Sequence, residues 1–94
     1  MNIIGLIWLE NIVEKLAVKH HVTQDEVEEV FERKPKIMRM QTGHFRGEDV
    51  YRALGQTAAG RYLVVFFICK STNEALILSA RDMDAKERRS YGKK

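Results

Sequence analysis

Cysteine and proline are each used once in 94 residues. A lone Cys69 excludes an intrachain disulfide and points to a reducing cytoplasm. In the middle of an apolar strand it reads as a buried, inert thiol, because a reactive thiolate needs an exposed cationic setting. No phosphate-binding glycine loop, His-Glu-x-x-His helix or paired-cysteine motif occurs. These absences argue against the common nucleotide and zinc chemistries. Ser79 has no Gly-x-Ser-x-Gly surroundings, which disfavours a serine hydrolase. The histidines are His20, His21 and His44. Adjacent residues on a helix point in different directions, so they form no ready metal site. The apolar amino end, residues 3–9, is too short to span a bilayer. It lacks a signal peptide's basic start and runs directly into Glu10 and Asn11. It reads better as a first strand at a sheet edge than as an earlier start of the first helix.

What is present is an ordinary globular composition, enough for one domain with one core. Charge is uneven along it. Residues 1–32 carry seven acids against two lysines, giving −5, and residues 33–94 carry fourteen Lys or Arg against six acids, giving +8. The basic part suggests a polyanionic partner. RNA fits better than a membrane, since no basic amphipathic helix with a large apolar face accompanies the charge. An ordinary solvated basic surface is the plainer alternative.

The organising stretch is residues 51–81, read as three consecutive antiparallel strands. Residues 62–69 are apolar without interruption, as expected of a central strand covered on both faces. Ala58, Ala59 and Gly60 form a three-residue hairpin loop with Gly in the left-handed position, and residues 71–74 form a four-residue loop. That register puts Tyr51, Ala53, Leu63, Val65, Phe67, Cys69, Leu76, Leu78 and Ala80 on one apolar face. Arg52, Phe66 and Ser79 form a row on the other. Arg81 stands one diagonal step from Arg52, close enough for two guanidinium groups to meet one phosphate. A slip of one residue would scatter the group.

Two helices precede the sheet. Leu9, Ile12, Val13, Leu16 and Ala17 follow helical spacing, and His20 continues the stripe four residues beyond Leu16. Lys19 lies beside it, near Lys15. Thr23 with Glu26 forms a capping box, Val22 staples onto Val27, and Pro35 ends the second helix. Val27, Val30 and Phe31 form its buried stripe. Asp25, Glu28, Glu29 and Glu32 are left as a solvated acidic face. Residues 36–40 suit an outer strand. Residues 41–49 read as a mobile glycine-containing loop whose His44, Phe45 and Arg46 could touch RNA, or simply face solvent. Asp84 and Glu87 start a short basic helix with Lys86, Arg88 and Arg89, which ends at Tyr91 and Gly92. Arg88 and Arg89 read either as solvent charges or as an extension of a phosphate track.

A family pattern runs through these blocks: Trp8, Lys19-His20, Val22, the acidic helix ending in Val30-Phe31, Ala53-Leu54-Gly55-Gln56-Thr57, Gly60-Arg61-Tyr62-Leu63, Ser79-Ala80-Arg81 and Glu87-Arg88-Arg89-Ser90-Tyr91. Together they resemble the BrnT toxins over nearly the whole chain. The resemblance implies a RelE-like fold, an endoribonuclease that inhibits translation and growth, no metal cofactor, and neutralisation by a BrnA-type antitoxin through which oligomers would form. Matching positions suggest Lys19, His20, Arg52 and Arg81 as catalytic. Arg61, Arg88, Arg89 and Tyr91 are suggested for RNA, and Trp8 as a further site residue. The chain departs from the family at Leu9, Ile12 and Leu16, where an Asp, a Lys and an Asn are usual, and at His21, where Gly is usual. The first helix is thus less polar than expected.

The resulting expectation is an α+β domain, with two amino-terminal helices on one face of an antiparallel sheet and arginines on the other face and the short carboxyl helix. Metal-free RNA cleavage needs a base for the 2′-hydroxyl, positive charge for the phosphorane and an acid for the departing 5′-oxygen. His20 is the proton-transfer candidate. Arg52 and Arg81 would stabilise the phosphate with help from Lys19. The rival is a non-catalytic member that binds an antitoxin or nucleic acid through the same surface.

Overall fold

The computed structural model describes residues 1–41 and 49–93. The elements run β1 (Gly5–Ile7), α1 (Glu10–Lys15) continuing into a π-helical segment (Leu16–His20), α2 (Gln24–Glu32), β2 (Lys36–Gln41), β3 (Val50–Gln56), β4 (Tyr62–Cys69), β5 (Glu74–Asp82) and α3 (Ala85–Gly92). The expected loop residues His44, Phe45 and Arg46 lie outside the described residues.

The fold is α+β with a five-stranded mixed sheet in the order β1-β5-β4-β3-β2. The apolar β4 is central, and β2 adds to β3 as an antiparallel outer strand. An antiparallel sheet holds for four strands only, because β1 pairs parallel with β5 at Gly5–Glu74, Leu6–Ala75 and Ile7–Leu76. No hairpin turn ties these two strands. The first helix with its π-helical segment, α2 and three other strands lie between them in the chain, which gives the long crossover that a parallel pair requires.

The β3–β4 hairpin has the expected register. Gly60 takes φ 92° and donates to the Thr57 carbonyl at 2.9 Å, and Gly55 faces Leu63 while Arg52 faces Phe66. The β4–β5 hairpin corrects the expectation by one residue. Asn73 adopts φ 69°, and the Lys70 amide donates to the Glu74 carbonyl at 2.8 Å, closing a loop over 71–73 instead of 71–74. Asn tolerates the left-handed region that closes such a turn. Ala75 and Ile77 therefore enter the core, and the expected Leu76 and Leu78 do not. An irregularity opposite Phe66 and Phe67 leaves Leu78 unpaired and restores the original phase, so Ser79 faces Phe66, Ala80 faces Val65 and Arg81 faces Val64. One extra residue in a bulge has cancelled one residue lost from the turn.

The main core joins Leu16, Val22, Val27 and Val30 to Ala53, Leu63, Val65, Phe67, Ala75, Ile77 and Ala80. Phe67 meets Phe31 edge-on at 5.3 Å and stacks on Tyr51 at 5.6 Å. A smaller cluster on the opposite face contains Leu54, Val64 and Met83, flanked by Met38, Tyr62, Phe66 and Tyr91. Cys69 is half-buried at the end of β4, where the expectation had it buried.

Local signals explain α2. Thr23 Oγ1 accepts from the Glu26 amide at 3.1 Å, the Glu26 carboxylate accepts from the Thr23 amide at 3.1 Å, and Val22 and Val27 are both buried. The first helix departs from its expected stripe. Leu9 caps it and is exposed, Ala17 is exposed, and Leu16 alone is buried. The wider π turn after Lys15 changes the angular spacing, so His20 does not stack directly above Leu16 and is half-buried. His21, at φ 54°, ends the segment.

Candidate functional site

The cationic row forms where the alternation of β3 and β5 implied. Met38, Arg52, Phe66 and Ser79 pair across four strands, and the Arg81 guanidinium lies over the Phe66 ring at 5.4 Å. The anion between the two arginines belongs to the protein. Arg81 donates from Nη1 to Glu87 Oε1 at 2.7 Å and from Nη2 to Glu87 Oε2 at 3.0 Å, and its Nη1 also reaches the Asp82 carbonyl at 3.1 Å. Arg52 Nη1 stands 3.9 Å from Glu87 Oε2, and its Nη2 lies 4.0 Å from Met38 Sδ. A cavity of about 220 Å³ opens beside them, lined by Arg52, Asp84, Lys86, Glu87 and Ser90.

Glu87 is nearly buried, with 7% of its side chain exposed, and occupies the third position of the α3 capping box. Its Oε1 accepts from the Asp84 amide at 2.9 Å while Asp84 Oδ1 accepts from the Glu87 amide at 2.7 Å. Burial opposes its ionisation, but the hydrogen bonds from Arg81 and the Asp84 amide, with the Arg81 charge, outweigh it and hold the carboxyl below its usual range. Hydrogen bonding to Glu87 pushes the Arg81 guanidinium pKa up against the effect of burial. Helix α3 is fastened further by Lys36 Nζ, which donates to the Ser90 carbonyl at 2.8 Å.

A second charged group forms on the opposite face, as adjacency of Arg81 and Asp82 in a strand requires. Arg61 Nε and Nη2 grip Asp82 at 2.8 and 3.2 Å, Nη1 reaches both Glu26 oxygens at 3.2 Å, and the His21 and His20 carbonyls accept at 2.7 and 3.1 Å. Every N–H of this guanidinium has an acceptor. The arrangement ties the end of the first helix to the start of α2 and the end of β5. Hydrogen bonding to Asp82 is the main cause that raises the Arg61 pKa, and its counterpart holds the Asp82 carboxyl low.

The residues expected to act together are thus divided. Arg52 and Arg81 meet on Glu87. His20 and the exposed Lys19 belong to the Arg61 side, and among the described residues no hydrogen bond or ion pair joins them to Arg52 or Arg81. Arg88 packs over the Tyr62 ring at 4.1 Å, Tyr91 meets the same ring edge-on at 6.0 Å, and Arg89 is exposed. Trp8 packs against the main core, with its indole nitrogen buried and without a hydrogen-bond partner among the described residues. Sequence reasoning read Glu87 only as a cap and missed its contact with the arginines. The available signal was its position six residues after Arg81, across a capped strand-to-helix junction that turns the chain back over the sheet.

Among the described residues no group of three or more His, Cys, Asp or Glu side chains is arranged to hold a metal ion. No helix among them is long and apolar enough to cross a membrane. No curated protein matches the chain. Residues 8–87 match the family described as "Ribonuclease toxin, BrnT, of type II toxin-antitoxin system". That match takes in both charged groups, the capping boxes and all but the edges of the chain, and the protein belongs to the BrnT family of ribonuclease toxins.

Proposed function

We propose that this chain is a metal-independent endoribonuclease with a RelE-like fold, acting in the cytoplasm, where its cleavage of RNA inhibits translation until a BrnA-type antitoxin neutralises it. The observation that carries the reading is the convergence of Arg52 and Arg81 on one acidic group beside an open polar cavity. Two guanidinium groups that share a carboxylate have the spacing needed to share a phosphodiester. They would stabilise the charge that develops on the phosphorane. Arg88, Arg89 and Lys86 on α3 extend the positive track, with Tyr91 as a stacking surface. On the Arg61 side His20 is the proton-transfer candidate and Lys19 would assist at the phosphate, contributions that are measured separately. Arg61 serves RNA binding in this reading only through the elements it ties together.

The test is incubation of purified protein with long RNA in excess EDTA. Cleavage that falls roughly 100- to 1000-fold in Arg52→Ala and Arg81→Ala, with folding preserved, supports the proposal. Unchanged cleavage in both variants sinks the proposed site. Loss of the pH-dependence of cleavage in His20→Ala would assign the proton transfer. A second reading, a binder that does not cleave, is favoured by the separation of His20 from the arginine pair and by the less polar first helix. RNA retained but uncut under the same conditions would establish it.

A further inference from the structure

We propose that Glu87 is a positioning residue for RNA cleavage, holding Arg81 so that one edge of its guanidinium, together with Arg52, faces the scissile phosphate. The proposal rests on the ribonuclease reading of this site. It starts from which donors Glu87 uses. The carboxylate takes the end-on fork of Arg81, Nη1 and Nη2, and the Asp82 carbonyl takes a further Nη1 proton. Nε and the second Nη2 proton remain without an acceptor among the described residues, and they form the side-on fork that suits bidentate phosphate contact. More than a third of the Arg81 side chain is exposed, at 37%, so that edge can meet a ligand while the clamp stays closed.

Arg52 is drawn to the same carboxylate at 3.9 Å, and among the described residues its one hydrogen-bond acceptor is the weak sulfur of Met38. Without Glu87 two guanidinium groups on one sheet face would repel and splay. With it they lie side by side, and the cluster of two cations and one anion keeps a net positive charge for a phosphodiester. Glu87 itself is fixed by the Asp84 amide, by burial and by α3, whose far end is held through Ser90 to Lys36. A group bound on this many sides orients its partners and is not a mobile competitor for their donors.

The experiment measures steady-state cleavage of a defined long RNA by wild type, Glu87→Gln and Glu87→Ala in EDTA at pH 7. Rates are normalised to the folded fraction from circular dichroism. Gln keeps one acceptor oxygen, which can take the Asp84 amide and Arg81 Nη1 together as Glu87 Oε1 does, and this guards against a result that only reports unfolding. The expected outcome is a 10- to 100-fold lower kcat in Glu87→Ala, with KM equal or lower because a negative charge has been removed from the RNA face. Glu87→Gln should recover part of the kcat. Parent-like kcat in both variants overturns the proposal, as does faster cleavage, which would make the carboxylate an internal competitor. If the wild type does not cleave, the ribonuclease reading fails by itself, and the positioning claim is then decided by the Arg81 Nε–H resonance during titration with inorganic phosphate. A shift in wild type that is lost in Glu87→Ala supports it. The same shift in both, or none in wild type, overturns it.

Discussion

Replacing Arg61 by Ala should destabilise the fold more than any exposed arginine normally could. The guanidinium touches two carboxylates and two backbone carbonyls from three separate segments. Asp82 is 65% exposed, so that ion pair is discounted for solvent screening to under about 1 kcal/mol. Glu26 is only 25% exposed and its pair adds roughly 1 kcal/mol. The His20 and His21 carbonyls end the first helical segment. Each lost hydrogen bond there costs about 0.5–1 kcal/mol, since water can replace part of it. The total is about 2–4 kcal/mol, which for a domain of this size lowers the melting temperature on the order of 10–20 °C. Urea denaturation measures it, and a double-mutant cycle with Asp82→Ala apportions the carboxylate share. Arg61→Lys should recover less than half, because a point charge cannot reach acceptors on so many sides. A loss below about 1 kcal/mol, or full recovery by Lys, would refute the view of Arg61 as a three-way tie. Cleavage per folded molecule should change little. A large specific loss would instead return Arg61 to the RNA-binding set.

Gly55 lies against α2, and an added Cβ would stand 2.9 Å from Val30 Cγ1 and 3.4 Å from Pro35 Cβ, so Gly55→Ala should cost about 1–3 kcal/mol through overpacking, read by chemical denaturation. Parent-like stability would mean that α2 can move away cheaply. Thr23→Ala removes one half of an observed capping box and should cost about 1 kcal/mol by the same assay, leaving cleavage under folded conditions unchanged. Glu87 and Asp82 are both held below the usual carboxylate range, so their stabilisation is present above the unfolded carboxyl pKa of about 4 and is lost as pH falls through the lower folded values. Denaturation midpoints from pH 7 down to about 2 should show this fall, and it should be shallower in Glu87→Gln. An identical profile in that variant would remove Glu87 from the account.

Local chemistry determined a large part of the molecule from sequence alone. Both capping boxes form because Thr23 with Glu26 and Asp84 with Glu87 need only one helical turn to meet. The turn at Ala58, Ala59 and Gly60 forms because Gly60 accepts a positive φ without strain, and with it the pairing of Arg52 with Phe66. The period of β3 and β5 then put Arg52 and Arg81 on one face. Tertiary structure decided what those short-range rules do not encode. Asn73 and Gly60 both favour tight turns, but loop length in the second hairpin depends on how β5 packs, and a bulge at Leu78 absorbed the difference. The long path from β1 to β5 permits their parallel pairing, and at the π segment Leu16 is buried while the His20 and His21 carbonyls reach Arg61, contacts made only by tertiary approach. Above all, the partner of the arginine pair was a matter of tertiary approach. A carboxylate that caps its own helix over three residues can also bind guanidinium groups from two strands, and only the folding of α3 back onto the sheet brings Glu87 to them.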